Sequence, residues 1–214
     1  MEEPLCRLGQ LHVATQGQFL TADDKFTGLD PALVRRYHGL ISNDVFVHEL
    51  DRARGRVSSI YDATVTSLDP FPLDPVSDYP DPVLEGLKAP VSSAMVAIYK
   101  NRLNWQPDIS YRLGNAEINR AWDWGNRIWN PPQSMTALRT ALALDPHMMV
   151  LIAHGLFDLL TPYLATQLLL DQVPEHGFKA RIRLTTYSGG HMFYMTDSAR
   201  AAFRDDAISL YQAH

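Results

Sequence analysis

The chain has 214 residues, 46% of them apolar and 20% charged, with 19 basic against 24 acidic side chains and a net charge of −5. That size suits one large globular domain or two small ones, and the lack of a basic cluster argues against a nucleic-acid partner, whose phosphates need a positive face. No apolar run approaches the roughly 20 residues that span a bilayer, so no membrane partner is expected.

The acidic start Met1-Glu-Glu-Pro4 has no apolar stretch of signal-peptide type, which leaves localisation open. Residues 1–68 read as helical. Asp30-Pro31 followed by Ala-Leu-Val-Arg-Arg-Tyr-His38 and Gly39 has an N-cap, a proline at the first position and a glycine stop. Ser42 caps a second helix reaching about Ala53, with Val45, Phe46, Glu49 and Leu50 at helical spacing. Residues 69–90 hold Pro70, Pro72, Pro75, Pro80, Pro82 and Pro90 and read as an extended surface loop. Helical periodicity returns at Val91–Leu103, where Met95, Ile98, Tyr99 and Leu103 share a stripe, and again at Ser134–Leu144, where Met135, Leu138, Ala141 and Leu142 point inward. Between them lie Trp122, Trp124 and Trp129, aromatic side chains better suited to packing than to lining a cleft.

After Asp145-Pro146 the pattern changes. Met148–Ala153 is a continuous apolar run of strand length, as expected for a strand buried on both faces of a parallel sheet. Thr161-Pro162 opens a helix to about Val173, Ala180–Tyr187 is a second strand, and Ser198–Ala213 is a closing helix. The expected organisation is a helical, cap-like region over 1–145 and an α/β portion over 146–214, built as a right-handed strand–helix–strand unit.

Both strands run into loops that end on chemically capable side chains. Met149-Val-Leu-Ile-Ala-His-Gly-Leu-Phe-Asp158 places a carboxylate past the C-terminal end of the first, the edge where open α/β sheets gather ligands. Leu184-Thr-Thr-Tyr-Ser-Gly-Gly-His191 places an imidazole past the second, after two glycines that permit a sharp turn. Taken singly, such an aspartate is more often a helix cap and such a histidine a surface or core residue. Taken together on neighbouring parallel strands, they fall within reach of one another as base and orienter.

These residues resemble the serine carboxypeptidases of peptidase family S10, in particular their bacterial branch. Ala153-His-Gly-Leu-Phe-Asp-Leu-Leu-Thr-Pro-Tyr163 is similar to the family's Asp motif, and Tyr187-Ser-Gly-Gly-His-Met-Phe-Tyr194 to its His motif. Thr27-Gly-Leu-Asp-Pro-Ala-Leu-Val-Arg-Arg36, Tyr61-Asp62 and Asn119-Arg-Ala-Trp-Asp-Trp-Gly125 resemble the family's segments between nucleophile and Asp. The resemblance implies the last two parallel strands of an α/β-hydrolase fold, with Asp158 and His191 as triad members. It also implies that Met192 lines the pocket for the departing residue. The implied reaction releases C-terminal amino acids from peptides with a free C-terminus through an acyl-enzyme, without cofactor or metal. Eight histidines lie without H-x-x-x-H or H-x-H spacing, in keeping with the lack of a metal site.

The family's G-E-S-Y-G-G nucleophile motif and its N-G-G-P-G loop are absent from these residues. Ser188 lies on the histidine loop, and Ser58-Ser59 and Ser92-Ser93 lack the flanking glycines of a nucleophile elbow. The expectation is therefore the C-terminal part of such an enzyme, without turnover by itself, whose serine lies on a missing upstream portion or on an N-terminal companion fragment. Two other readings stand beside it. One is a non-catalytic fragment or interaction protein that self-associates through exposed strand edges. The other is a different α/β-hydrolase, such as an esterase or acyltransferase.

Overall fold

In the computed structural model a short antiparallel strand pair follows the first two helices, and a parallel strand pair lies towards the end of the chain. The structure describes residues 27–75, 80–106, 108, 111–123, 134–173, 177 and 179–212. The helical reading before residue 27, and Trp124 and Trp129, lie outside the described residues.

Helix α1 (Pro31–Arg36) begins as its sequence demands: the Asp30 carboxylate accepts from the Ala32 N–H, Pro31 occupies the first turn, and Gly39 takes a positive φ of 75° after it. In α2 (Asn43–Glu49) the Ser42 hydroxyl accepts from the Val45 N–H. This helix is shorter than expected, because a 3-10 turn at Arg52–Arg54 ends on Gly55 in the left-handed region. The following segment is not helical. Strands β1 (Arg56–Ser58) and β2 (Thr66–Leu68) pair antiparallel, which corrects the helical reading of 1–68. Val34, Val45, Val47 and Val57 form the buried apolar side of this part, joined by a fully buried His48 whose Nε2 lies 2.9 Å from Asp69 Oδ2.

The proline-rich stretch holds a second correction. Helix α3 (Pro82–Asn101) starts inside it, with Asp81 accepting from the Val83 and Leu84 N–H groups and Pro82 at the first position. Pro90 sits within the helix, where its missing N–H leaves the Gly86 carbonyl without the usual partner. No described residue of α3 is buried, and Ile98 and Leu103 of the expected inward stripe are 37% and 60% exposed. Helix α4 (Ala116–Ala121) is short, and Trp122 beyond it is 61% exposed rather than buried under a cap. Helix α5 (Met135–Leu144) agrees with its periodicity and buries Leu142.

The C-terminal portion is α/β. Strand β3 (Val150–Gly155), helix α6 (Tyr163–Asp171), strand β4 (Ile182–Tyr187) and helix α7 (Asp197–Gln212) follow in the expected order. The strands pair in parallel, with Val150 opposite Ile182 and Gly155 opposite Tyr187. Residues Val150–His154 are only partly buried, short of the two-sided burial their apolar run calls for. Two strands leave each other's outer edges unpaired among the described residues, and a parallel sheet draws its burial from further strands and cover on both faces. Arg181 ties the start of β4 to the end of α5 by donating to the carbonyls of Leu142 (2.8 Å) and Asp145 (2.7 Å). No helix among the described residues is long and apolar enough to cross a membrane.

The core of this portion is aromatic. Tyr187, at the end of β4, stacks on Phe193 with ring centroids 4.8 Å apart, and Phe203 of α7 meets both rings edge-on. The Tyr187 hydroxyl donates to Asp206 Oδ2 at 2.7 Å, while Arg183 pairs with the other oxygen. Burial, then the bond to Asp206 and its charge, push the Tyr187 phenol up to about 12, whereas the bond from Tyr187 holds Asp206 below the usual carboxylate range. The signs define a window. The raised tyrosine contributes stability below its unfolded value of 10.0 that is lost as pH climbs to about 12. The depressed aspartate contributes stability above about 3.9 that is lost as pH falls further. Tyr187→Phe is expected to cost about 1–2 kcal/mol at pH 7, with the wild-type advantage shrinking by about pH 11; urea denaturation at both values checks it.

Candidate active site

The loops after β3 and β4 meet at the C-terminal edge of the strand pair. His191 Nδ1 lies 2.8 Å from Asp158 Oδ2. Asp158 is 5% exposed. Its two oxygens divide the work. Oδ1 accepts from the backbone N–H of Leu160 (2.8 Å) and Thr161 (3.0 Å), the turn-capping role of an ordinary loop aspartate. Oδ2 accepts from the Thr161 hydroxyl at 2.6 Å and faces the imidazole. The two readings of an isolated aspartate are thus both realised, one on each oxygen.

The donors around the carboxylate leave Oδ2 an acceptor toward the imidazole, an arrangement that favours the His191 tautomer with its proton on Nδ1. The other ring nitrogen, Nε2, is then the lone-pair side. The ring is partly exposed, and its hydrogen bonds to described residues are made at Nδ1, by Asp158 and Thr161. A ring held by a carboxylate at Nδ1 with its lone pair on Nε2 has the geometry of a general base.

Close backbone approach makes this geometry possible. A Cβ on Gly155 would sit 1.8 Å from the Gly190 carbonyl oxygen, and one on Gly190 would sit 2.0 Å from the Tyr61 carbonyl oxygen. Gly189 has a positive φ of 129°. The segment Ile60–Ala63 is threaded between the two loops and bonds to both. His191 N–H donates to the Tyr61 carbonyl, Leu159 N–H to the Ile60 carbonyl, and Ala63 N–H to the Phe157 carbonyl, at 2.6, 3.1 and 3.1 Å. The Tyr61 ring stands edge-on to the imidazole, centroids 5.7 Å apart, and burial followed by the charges of Asp81 and Asp158 raises its phenol.

Behind this segment, the Ser59 hydroxyl bonds to both Asp81 oxygens at 2.8 Å and accepts from the Tyr61 N–H at 3.0 Å. The Ile60 N–H donates to Asp81 as well. Asp81 thereby joins the N-terminus of α3 to the strap beneath His191. Ser58 and Ser59 are buried and Ser92-Ser93 lie within α3, so none of these serines stands on an exposed turn. Ser188 is exposed on the histidine loop, and the hydrogen-bond partners of the His191 ring among the described residues are Asp158 and Thr161.

Met192 lines a cavity beside the His191 loop, together with Tyr61 and Gly190. Among the described residues no group of three or more His, Cys, Asp or Glu is disposed to hold a metal ion. Thr161, Ser59 and Asp81 were not expected in the site. Thr161 had a local signal, standing three residues past Asp158, whereas the Ser59–Asp81 contact joins positions 22 apart.

The site is an Asp–His pair at the carboxyl edge of a parallel strand pair. No protein-family model, curated protein or solved structure matches the chain.

Proposed function

We propose that this chain is the Asp- and His-bearing part of a serine-type carboxypeptidase, akin to peptidase family S10. Asp158 orients and stabilises His191, and His191 Nε2 takes the proton from a serine that is not among these residues. The observation that carries the reading is the 2.8 Å contact between His191 Nδ1 and Asp158 Oδ2, made by loops that leave adjacent parallel strands. Support also comes from Met192 in the wall of the neighbouring cavity and from the family-like spacing of both motifs.

A base and an orienter cannot form an acyl-enzyme without a nucleophile. The serine comes from outside these residues, on an upstream segment or on a companion polypeptide, and the open edges of β3 and β4 are where further strands would join. A serine-directed fluorophosphonate probe tests this. The chain alone is expected to stay unlabelled, and the chain mixed with the polypeptide encoded upstream to become labelled on that partner. Labelling of any serine in the chain alone would contradict the proposal. No labelling in the mixture would favour a non-catalytic fragment.

A further inference from the structure

One carboxylate outside the Asp158–His191 pair is wired to both of its members. Asp81, just before α3, is bonded to the segment Ile60–Ala63, and that segment is bonded in turn to the loops carrying Asp158 and His191. We infer that Asp81 is a positioning residue for the pair: through this strap it sets the spacing at which the Asp158 carboxylate meets the His191 ring. Its effect on rate rests on the proposed function, whereas its effect on the ring rests on geometry alone.

The strap brackets the aspartate and grips the histidine. Ala63 N–H donates to the Phe157 carbonyl and Leu159 N–H to the Ile60 carbonyl, both at 3.1 Å, on either side of Asp158. His191 N–H donates to the Tyr61 carbonyl at 2.6 Å. The fit leaves no slack, since a Cβ on Gly190 would lie 2.0 Å from the Tyr61 oxygen and 2.4 Å from Asp62 Cβ. A strap that shifts therefore carries the two loops with it. Catalytic geometry is sensitive on this scale, where a displacement of about 1 Å can cost ~10²-fold in rate.

Asp81 divides its oxygens between a helix and the strap. Oδ1 accepts from the Val83 and Leu84 N–H groups at 2.9 and 3.2 Å, which is ordinary helix capping. Oδ2 accepts from the Ile60 N–H at 3.0 Å. The Ser59 hydroxyl lies 2.8 Å from both oxygens and itself accepts from the Tyr61 N–H (3.0 Å) and the Asp62 N–H (3.3 Å). Capping needs only the first oxygen. The second oxygen and the fully buried Ser59 serve the strap instead. The Asp81 charge also reaches the Tyr61 phenol beside the imidazole edge, which burial raises first and Asp81 next.

Asp81→Asn separates the two roles. Its amide oxygen can still cap α3, while its NH2 meets the Ile60 N–H donor to donor. Two readings on the intact chain test the assignment without any turnover. Nitrogen-detected NMR should show the share of His191 rings with the proton on Nδ1 falling. Hydrogen exchange at Ala63, Leu159 and His191 should quicken by about 10–100-fold, the cost of losing a bond to a charged group, while the β3–β4 ladder amides stay unchanged. Ser59→Ala removes the middle link and should move the same signals the same way, which decides the matter if Asp81→Asn fails to fold. An unchanged tautomer in folded Asp81→Asn would overturn the assignment. So would quickening shared equally by the ladder, the mark of a merely structural residue. With the serine-bearing portion supplied, Asp81→Asn should lower kcat while KM stays the same. No hydrolysis by the wild-type chain in that sample would count against the peptidase reading alone, and wild-type hydrolysis with neither NMR change in the variant against Asp81 alone.

Discussion

Gly155→Ala is expected to destabilise the protein at or above the upper end of the about 1–3 kcal/mol that overpacking costs. The added methyl would lie 1.8 Å from the Gly190 oxygen and 2.7 Å from the Gly189 oxygen, both backbone atoms. A flexible side chain could swing aside, but these carbonyls are held by their own bonds. The Gly189 carbonyl accepts from the Phe157 N–H at 3.0 Å, and the His191 N–H next to Gly190 is fixed to Tyr61. Relief therefore requires the two loops to part, which separates Asp158 from His191. Gly86→Ala is the matched control. Its Cβ meets nothing within 4 Å, and alanine in a helix is preferred to glycine by about 0.5–1 kcal/mol. Urea denaturation of the two variants should give shifts of opposite sign. A Gly155→Ala protein as stable as wild type would contradict the close approach.

Asp158→Asn is the second large effect, and it acts on the proton rather than the fold. Asparagine Oδ1 can still accept from the Leu160 and Thr161 N–H groups, so the turn survives. The amide NH2 then faces His191 where Oδ2 stood, forcing Nδ1 to accept and Nε2 to carry the proton. An imidazole with its proton on Nε2 is the wrong tautomer for a base. The rate with the serine-bearing companion should fall by roughly 10³–10⁴-fold. In the chain alone, nitrogen-detected NMR of His191 should show the proton moving from Nδ1 to Nε2. An unchanged tautomer would mean that Asp158 does not orient the ring.

The C-terminal elements were legible because their signals are local. An apolar run after Asp145-Pro146, a proline-opened helix and a Gly-Gly turn each sit within a few residues of what they specify. Asp158 and His191 were legible for the same reason, since parallel strands in sequence neighbour one another and bring their loops together. The β1–β2 hairpin was not, as strands of three residues are too short to show alternation. The start of α3 was hidden by proline density, although Asp81-Pro82 is itself a helix-start pair. Thr161, the Ser59–Asp81 tether and the need for glycine at 155 depend on which loops meet in space. Their chemistry is visible only after the strand pairing is known.

We propose His191, oriented by Asp158, as the base for a serine supplied from outside these residues. The most direct measurement is release of the C-terminal amino acid from a blocked dipeptide by the chain together with its companion polypeptide. Hydrolysis is expected in the combined sample, with none from either part alone and loss of it on His191→Ala. Hydrolysis that persists at full rate in His191→Ala would contradict it.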